Sequence, residues 1–364
     1  MKDAALPEGK PPEKSTEEVI ELQRAIDAND LARVQALLTG NPALHRAPIG
    51  YGEAGPLTWA AECRVPWETP GAVRLAMAEW MIGHGSDVHQ GGDAPLMRAA
   101  LNGYRIPMME LLVQQGADVN ALWQGNYPIV FAPCESMDSE ALAWLLVHGA
   151  NPNRRDHGYQ YNGHSYAGTA LDYLIAGYGR SPERMRACVE VLLAAGGATR
   201  LDVPGMLAIL RRRTDELEGL LHGQTGLAAR QFAELDCGQT GGRSLLLRGA
   251  TLLHAAAEYG NTEAAALLLR NGADVNARAA VDAEGTGGQT PLFHAVSQYD
   301  DTGLAMVQLL LAKGADTQVR ARVPGDYERP EETVTCTALG YALRFGGEPD
   351  RPTVRLLREY GAAE

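Results

Sequence analysis

The hydrophobic and polar positions of this chain follow a pattern that returns every few dozen residues. Each occurrence begins with a small or turn-forming residue, often followed by proline, and continues with an aliphatic residue and a run of small residues. It is found at residues 55–61, 94–100, 127–132, 169–174, 251–257, 290–296 and 337–343. A threonine before a proline, as in Thr290-Pro291, is typical of a helix start because threonine caps the end and proline fits the first helical position. The pattern therefore predicts a series of short helices whose alanines allow close packing.

A second pattern follows most of these short helices. It is a leucine pair, two variable residues and Gly-Ala-Asp-Val-Asn or a variant, at residues 81–89, 111–120, 145–153, 192–199, 268–276, 310–318 and 356–363. The leucines predict a second helix, and the glycine predicts a left-handed C-terminal cap followed by an extended finger. Starts of the first pattern at 55, 94 and 127 lie 39 and 33 residues apart, and those at 251 and 290 again 39. The period is therefore about 33 residues with insertions.

One such helix pair cannot bury its own apolar face, so several must stack. The sequences Thr-Pro-Leu-Phe-His-Ala at 290–295 and Gly-Ala-Asp-Val-Asn-Ala at 272–277 resemble the ankyrin repeat, whose pattern is T-P-L-H-x-A-A with G-A-D-V-N. The resemblance covers residues 16–364. It implies an all-α ankyrin-repeat solenoid of about eight helix-turn-helix units with extended finger loops and an N-terminal helical cap.

The regularity of the pattern divides the chain into segments. We expect a flexible tail at 1–15, cap helices and a first finger at 16–54, repeats at 55–200, and repeats with a C-terminal cap at 251–364. The segment 201–250 departs from the pattern. Its first half is a degenerate repeat without the Gly-Ala-Asp sequence, and its second half has no helical period, so it is either an irregular finger or a break in the stack.

Insertions enlarge the fingers at 122–127, 154–168, 236–249, 281–288 and 322–335, and one insertion at 65–75 lies between the two helices of its repeat. Insertions in repeat arrays fall on loops that often bind partners. Tyrosine, tryptophan and histidine combine a large contact area with a polar group and are typical of binding surfaces. The finger candidates are Trp123, Tyr127, Tyr159, Tyr161, His164 and Tyr166. An equally open interpretation is that these side chains pack the long loops onto their neighbours.

The resemblance to ankyrin repeats adds a second group of candidates. In that family the fingers and the inner face of the first helices form the partner surface. By register with the repeat, this places Glu258, Tyr259 and Gln298 towards the concave groove.

Composition narrows the class of partner. The formal net charge is −13, which disfavours nucleic acid, and the basic run 211–213 is balanced by neighbouring acidic residues and predicts a solvated helix end. The five cysteines are scattered and form no C-x-x-C, which argues against a disulfide framework or structural zinc and for a reducing, cytoplasmic location. No run of 18 apolar residues occurs, so no membrane span is expected.

The sequence contains none of the common catalytic motifs H-E-x-x-H, G-x-S-x-G or the P-loop. His254 falls on the histidine of the ankyrin pattern, which implies a structural role. His157 and His164 could hold a metal together with Asp156, although the spacing is a weak signal. An alternative hypothesis is therefore a small-ligand or metal-dependent site in the insertion 154–168.

The favoured hypothesis is a non-enzymatic scaffold or inhibitor without cofactor or metal. It binds another protein, one with a basic or amphipathic segment, through the concave inner-helix face and the enlarged fingers. Neither nucleic acid nor a membrane is an expected partner. The chain itself is expected to be a monomer or a weak homodimer.

Overall fold

The fold is described from a computed structural model of the 364-residue chain. The structure describes residues 16–364 except 51, 53, 63–68, 70, 103–105, 157–158, 162–163, 167, 178–180, 234, 241–242, 248, 299–300, 325–331 and 346–347. For 159–161, 164–166, 235–240 and 243–247 it describes the backbone alone. The predicted tail at 1–15 and part of the predicted insertion at 65–75 lie outside the described residues.

Within this described part, eighteen α-helices follow one another as nine pairs. The pairs are α1 (Thr16–Asp27) and α2 (Leu31–Gly40), α3 (Pro56–Glu62) and α4 (Ala72–Gly83), α5 (Gln90–Leu101) and α6 (Ile106–Gln114), α7 (Ala132–Ser136) and α8 (Ser139–Val147), α9 (Ala170–Ala176) and α10 (Pro182–Ala194), α11 (Met206–Leu210) and α12 (Thr214–Gly223), α13 (Leu252–Glu258) and α14 (Thr262–Arg270), α15 (Pro291–Val296) and α16 (Leu304–Ala312), α17 (Ala338–Phe345) and α18 (Pro352–Glu359). The helix-pair architecture predicted from the two patterns is confirmed. Among these helices none has the length and hydrophobicity that a membrane crossing requires.

The chain forms two compact bodies. The first comprises residues up to Ser136 and Glu140–Gly158, and in it α1, α3, α5 and α7 pack in sequence as one layer while α2, α4 and α6 pack as a second. The second body comprises Met137–Ser139 and Tyr159–Glu364. There α11, α13, α15 and α17 form one layer, and α12, α14, α16 and α18 form the other. The degenerate repeat at 201–225 is thus a helix pair that packs on its neighbour within the second body.

The core follows the two sequence patterns. Alanines of the first helices are almost completely buried, among them Ala60, Ala61, Ala99, Ala100, Ala255, Ala256 and Ala257. The second helices contribute leucines that are 0% exposed, namely Leu112, Leu145, Leu192, Leu268, Leu310 and Leu357. Each buried leucine contributes about 1.5–3 kcal/mol relative to an exposed one. Small residues in one layer and leucines in the other let the helix pairs stack closely.

The fingers are hydrogen-bonded ribbons. Four two-stranded antiparallel ribbons are described: β1 (Leu122–Trp123) with β2 (Tyr127–Pro128), β3 (Tyr159–Tyr161) with β4 (His164–Tyr166), β5 (Leu235–Thr240) with β6 (Arg243–Leu247), and β7 (Ala321–Pro324) with β8 (Thr333–Cys336). The insertion at 281–288 carries a single antiparallel bridge between Val281 and Gly287. The Gly287 N–H also donates to the Arg322 carbonyl at 2.7 Å, which joins this finger to β7. Glycine is needed at this point because φ is +127° and a Cβ would lie 2.1 Å from the Ala280 carbonyl oxygen.

The asparagine of the second pattern ties neighbouring repeats together. Asn276 donates from Nδ2 to the Gly314 carbonyl at 3.1 Å, and its Oδ1 accepts the Asp316 N–H at 2.8 Å. Asn120 makes the equivalent two bonds to the next repeat, at 2.9 and 2.8 Å. One side chain therefore satisfies a helix-end carbonyl and a turn N–H of the following repeat.

His254 has the structural role that the resemblance implies. The Thr251 N–H donates to Nδ1 at 3.1 Å, so the proton is on Nε2, which donates to the Gln289 carbonyl at 3.1 Å. Burial of the ring lowers the pKa of His254 to about 3. The side chain is a neutral link between the start of α13 and the next finger.

Candidate functional site

The first group of candidate residues lies in the β1–β2 finger. Trp123 and Tyr127 are half-buried and meet edge to face, with ring centroids 5.9 Å apart. Tyr127 also contacts Phe131, with centroids 5.6 Å apart, and its hydroxyl donates to Glu135 at 3.1 Å. These contacts support the packing interpretation for Tyr127, while half-buried Trp123 keeps part of its surface open to solvent.

The second group lies in the β3–β4 ribbon. Its register pairs Tyr159 with Tyr166, Gln160 with Ser165, and Tyr161 with His164. Directly opposed residues share a face of an antiparallel ribbon, and alternate residues of a strand share a face. All four candidates in this finger are therefore at positions on one face, which we call the aromatic face. It consists of Tyr159, Tyr161, His164 and Tyr166, whereas Gln160 and Ser165 are at positions on the opposite face.

The third group lies at the ends of first helices in the second body. Glu258, Tyr259 and Gln298 are 0%, 5% and 5% exposed, so they are enclosed instead of lying open on a groove. All three line a cavity of about 240 Å³, which we call the α13 cavity. Its lining is Ser181, Pro182, Met185, Ile209, Leu210, Arg212, Glu258, Tyr259, Gly260, Gln298 and Thr302. The structure thus brings together three residues that the sequence placed on two different repeats.

Hydrogen bonds hold the walls of the cavity. The Tyr259 hydroxyl donates to the Ile175 carbonyl of α9 at 2.9 Å, and Gln298 Nε2 donates to the His294 carbonyl at 2.7 Å. The volume is below the roughly 300–1,000 Å³ of pockets for drug-sized ligands. The cavity matches a single side chain or a small metabolite better than a large ligand.

Glu258, one of the lining residues, forms a buried ionisable pair with His294. Glu258 Oε2 and His294 Nδ1 are 2.7 Å apart, and both side chains are 0% exposed. An ionised carboxylate only accepts, so the imidazole donates. Burying such a pair is costly unless its geometry is good, because both groups lose water. The distance of 2.7 Å between Glu258 Oε2 and His294 Nδ1 is that of a good hydrogen bond, so the geometry of this pair is favourable.

The basic run at 211–213 directly follows α11, as predicted for a helix end. Its side chains are paired instead of only solvated: Arg211 contacts Glu190 and Glu216, each at 3.0 Å. Hydrogen bonding and charge from Arg211 lower the pKa of Glu190 below its usual value. Arg212 donates to the Gly260 carbonyl at 3.1 Å at the edge of the cavity. These pairs explain the arginine run without a bound phosphate.

The alternative of a metal site in 154–168 stays a prediction. Among the described residues no group of three or more histidine, cysteine, aspartate or glutamate side chains comes together as a metal site would require. His157 and the side chain of His164 lie outside the described residues. The buried thiols Cys134, Cys188 and Cys336 form no disulfide, and burial raises the pKa of Cys188 to about 12.

Comparison with known families identifies the repeat. The family model described as ankyrin repeats (three copies) matches residues 69–156 and 206–321, which together are more than half of the chain. The chain belongs to the ankyrin-repeat family. Ankyrin repeats generally mediate protein–protein interactions and are typically non-catalytic. No curated protein matches the chain at a significant level.

Within the ankyrin-repeat pattern, the Glu258–His294 pair was not predicted from the sequence. Counted from the helix caps Thr251 and Thr290, His294 takes the place of Ala255. Counted from the left-handed turn residues Gly260 and Arg212, Glu258 takes the place of Leu210. Two ionisable residues therefore replace apolar ones in adjacent repeats. That double departure from the repeat was the available signal.

Proposed function

We propose that this ankyrin-repeat protein is a non-enzymatic scaffold or inhibitor that binds one partner protein. The observation that carries the proposal is the register of the β3–β4 ribbon. It gathers Tyr159, Tyr161, His164 and Tyr166 at positions on one face, and tyrosine-rich faces are typical of binding hot spots. The net charge of −13 favours a partner with a basic or amphipathic segment.

Photocrosslinking in the native cell tests this proposal. A photoreactive phenylalanine is placed at Tyr161, on the aromatic face, and in a matched control at Gln160, on the opposite face. We expect an adduct with one second protein from position 161 and none from position 160. Equal adducts from both positions, or none from 161, would contradict a partner surface on this face.

A deletion provides an independent measurement. Removing residues 158–167 takes away the ribbon but none of the helix pairs. We expect capture of the crosslinked partner to fall by at least about tenfold, the size of losing one strong hot spot, with an unchanged melting temperature. Full capture by the shortened protein would remove this finger from the binding surface.

We also propose a cytoplasmic location and a monomer or weak homodimer. The buried thiols of Cys134, Cys188 and Cys336, none in a disulfide, support a reducing compartment. Light scattering of the purified chain across a concentration series measures the oligomeric state. A stable dimer at the lowest concentration would contradict the proposed state.

A further inference from the structure

The α13 cavity has a buried floor and an open rim. The floor consists of the lining residues that are almost completely buried, namely Met185, Ile209, Leu210, Glu258, Tyr259 and Gln298. The other lining residues are half-buried or exposed, so the cavity opens to solvent along this rim. Protein interiors leave few voids larger than a water molecule, and a space of about 240 Å³ is therefore a distinct feature of this part of the fold.

The degenerate repeat accounts for the space. Its first helix, α11, has five residues, whereas α13 has seven. The Tyr259 hydroxyl, at the end of α13, bonds to the Ile175 carbonyl of α9 and so connects two repeats that are not adjacent in sequence. The ring of Tyr259 and the ends of three first helices thus enclose a cavity where a full-length helix would have packed.

The charged groups around the cavity already have partners. Four ion pairs involve them: Arg212 with Glu263 at 3.5 Å, Arg212 with Glu183 at 3.8 Å, Arg186 with Glu183 at 2.7 Å, and His294 with Glu258 at 2.7 Å. A charged ligand would lose its water on entry without gaining an unpaired counter-charge, which is costly. The cavity therefore favours a neutral ligand.

The floor also offers one neutral hydrogen-bond acceptor. Gln298 is 5% exposed, and its Nε2 donates to the His294 carbonyl at 2.7 Å. That bond fixes the orientation of the amide, so Oε1 is its acceptor end. Among the described residues no donor bonds to Oε1, and the atom is not one of the fully buried polar atoms without a partner, so it keeps contact with solvent. Because Gln298 is a floor residue, Oε1 is the acceptor that a ligand in the cavity would meet.

The apolar part of the floor suits an aromatic ring. The ring of Tyr259 can pair with a second ring, and the Met185 thioether makes favourable contacts with aromatic groups. An apolar cavity of about 150 Å³ holds one benzene ring. In proportion, the volume of about 240 Å³ holds about nine or ten non-hydrogen atoms.

We propose that the α13 cavity is a binding site for a small, neutral aromatic molecule with one hydrogen-bond donor, of the size of indole or benzamide. The ring packs on Met185 and Tyr259, and the donor bonds to Oε1 of Gln298. The site is independent of the proposed partner surface. Its lining comes from the turns that join the first and second helices of each pair, whereas the fingers leave the helix pairs at the other end.

A set of matched ligands tests the size and charge of the site on the full chain. Benzamide is neutral, and benzoate and benzamidinium are its anionic and cationic isosteres. The signal is the ¹³C-methyl resonance of Met185, assigned with Met185→Leu, and the control is the methyl resonance of Met109 in α6 of the first body. We expect a saturable shift at Met185 alone with benzamide, and at least about tenfold weaker binding of both charged isosteres.

A second pair of ligands tests the hydrogen bond. Indole has an N–H donor, and 1-methylindole lacks it. We expect the parent chain to bind indole about three- to tenfold more tightly, the range of one neutral hydrogen bond. Gln298→Met keeps the length of the side chain without the acceptor and should remove this preference. Its folding is checked by the melting temperature, and the comparison of the two ligands on the parent chain needs no variant.

Four results would overturn the proposal. They are no saturable shift at Met185 with benzamide or indole up to their solubility limits, binding of either charged isostere as tight as that of benzamide, equal binding of indole and 1-methylindole by the parent chain, and a preference for indole that persists in folded Gln298→Met. Crosslinks from Tyr161 are measured separately, and their presence or absence tests the proposed function without bearing on this site.

Discussion

Replacing the buried Glu258–His294 pair should reveal strong coupling between its two members. His294→Leu leaves a carboxylate enclosed without its imidazole donor, and breaking a buried ion pair in this way costs about 3–5 kcal/mol. Glu258→Leu leaves an imidazole that can stay neutral, so it costs about 1–3 kcal/mol, the penalty for a buried polar group that loses its partner. The double variant removes both polar groups. Its free energy of unfolding should be within about 1 kcal/mol of that of the parent protein, or higher.

The predicted coupling is therefore about 3 kcal/mol or more, well above the few tenths expected for independent sites. Urea unfolding followed by far-ultraviolet circular dichroism gives the four free energies of the cycle. Repeat arrays can lose two-state behaviour, so hydrogen–deuterium exchange of residues 252–258 and 291–296 provides a local measure. Losses that add up in the double variant would refute this reasoning, because the two side chains would then contribute independently.

Three further predictions concern the links between repeats. His254 has a folded pKa of about 3 against 6.5 when unfolded, so its contribution is complete above about pH 6.5 and falls by about 1.4 kcal/mol per pH unit towards pH 3. The free energy of unfolding of the parent protein, measured with urea at each pH, should fall with this slope relative to that of His254→Gln. A difference between the two proteins that stays constant with pH would contradict the prediction. Asn276→Ala removes two bonds to the next repeat and should cost about 1–2 kcal/mol in thermal unfolding, whereas an unchanged melting temperature would deny the link. Arg211→Gln removes the contact with Glu190 at a partly exposed site and should cost about 1 kcal/mol at low salt and less in 1 M NaCl, so a salt-independent cost would argue against an ionic origin.

Much of the helical architecture could be predicted because its signals are local. Thr251 and Thr290 take the N-cap backbone conformation, and α13 and α15 begin at the next residue, as the first pattern indicates. The capping hydrogen bond expected from the threonine side chain is not formed at Thr290, which makes none to its own helix. Backbone conformation follows from the local sequence, whereas hydrogen-bond partners also depend on the neighbouring repeat.

The positions of the fingers along the chain were predicted, but their two-stranded ribbons were not. Residues 154–168 were predicted to form a loop, although the sequence Asn162-Gly163 is the strongest short-range signal for a hairpin. With that signal the register, and hence the aromatic face, follows from strand alternation. The α13 cavity is different because its lining comes from positions as far apart as Ser181 and Thr302. No periodicity within one repeat reveals such a site.

The degenerate repeat explains why charge is concentrated near the cavity. In α13–α14, Asn261 caps the second helix by accepting the Ala264 N–H at 3.0 Å. The corresponding Arg213 in α11–α12 makes no capping hydrogen bond, and Arg212 takes the left-handed turn at φ 55° that Gly260 takes next. The arginines that replace these residues bind carboxylates on adjacent helices instead. Local caps are thus exchanged for ion pairs between repeats, which leaves this part of the stack more sensitive to salt than its neighbours.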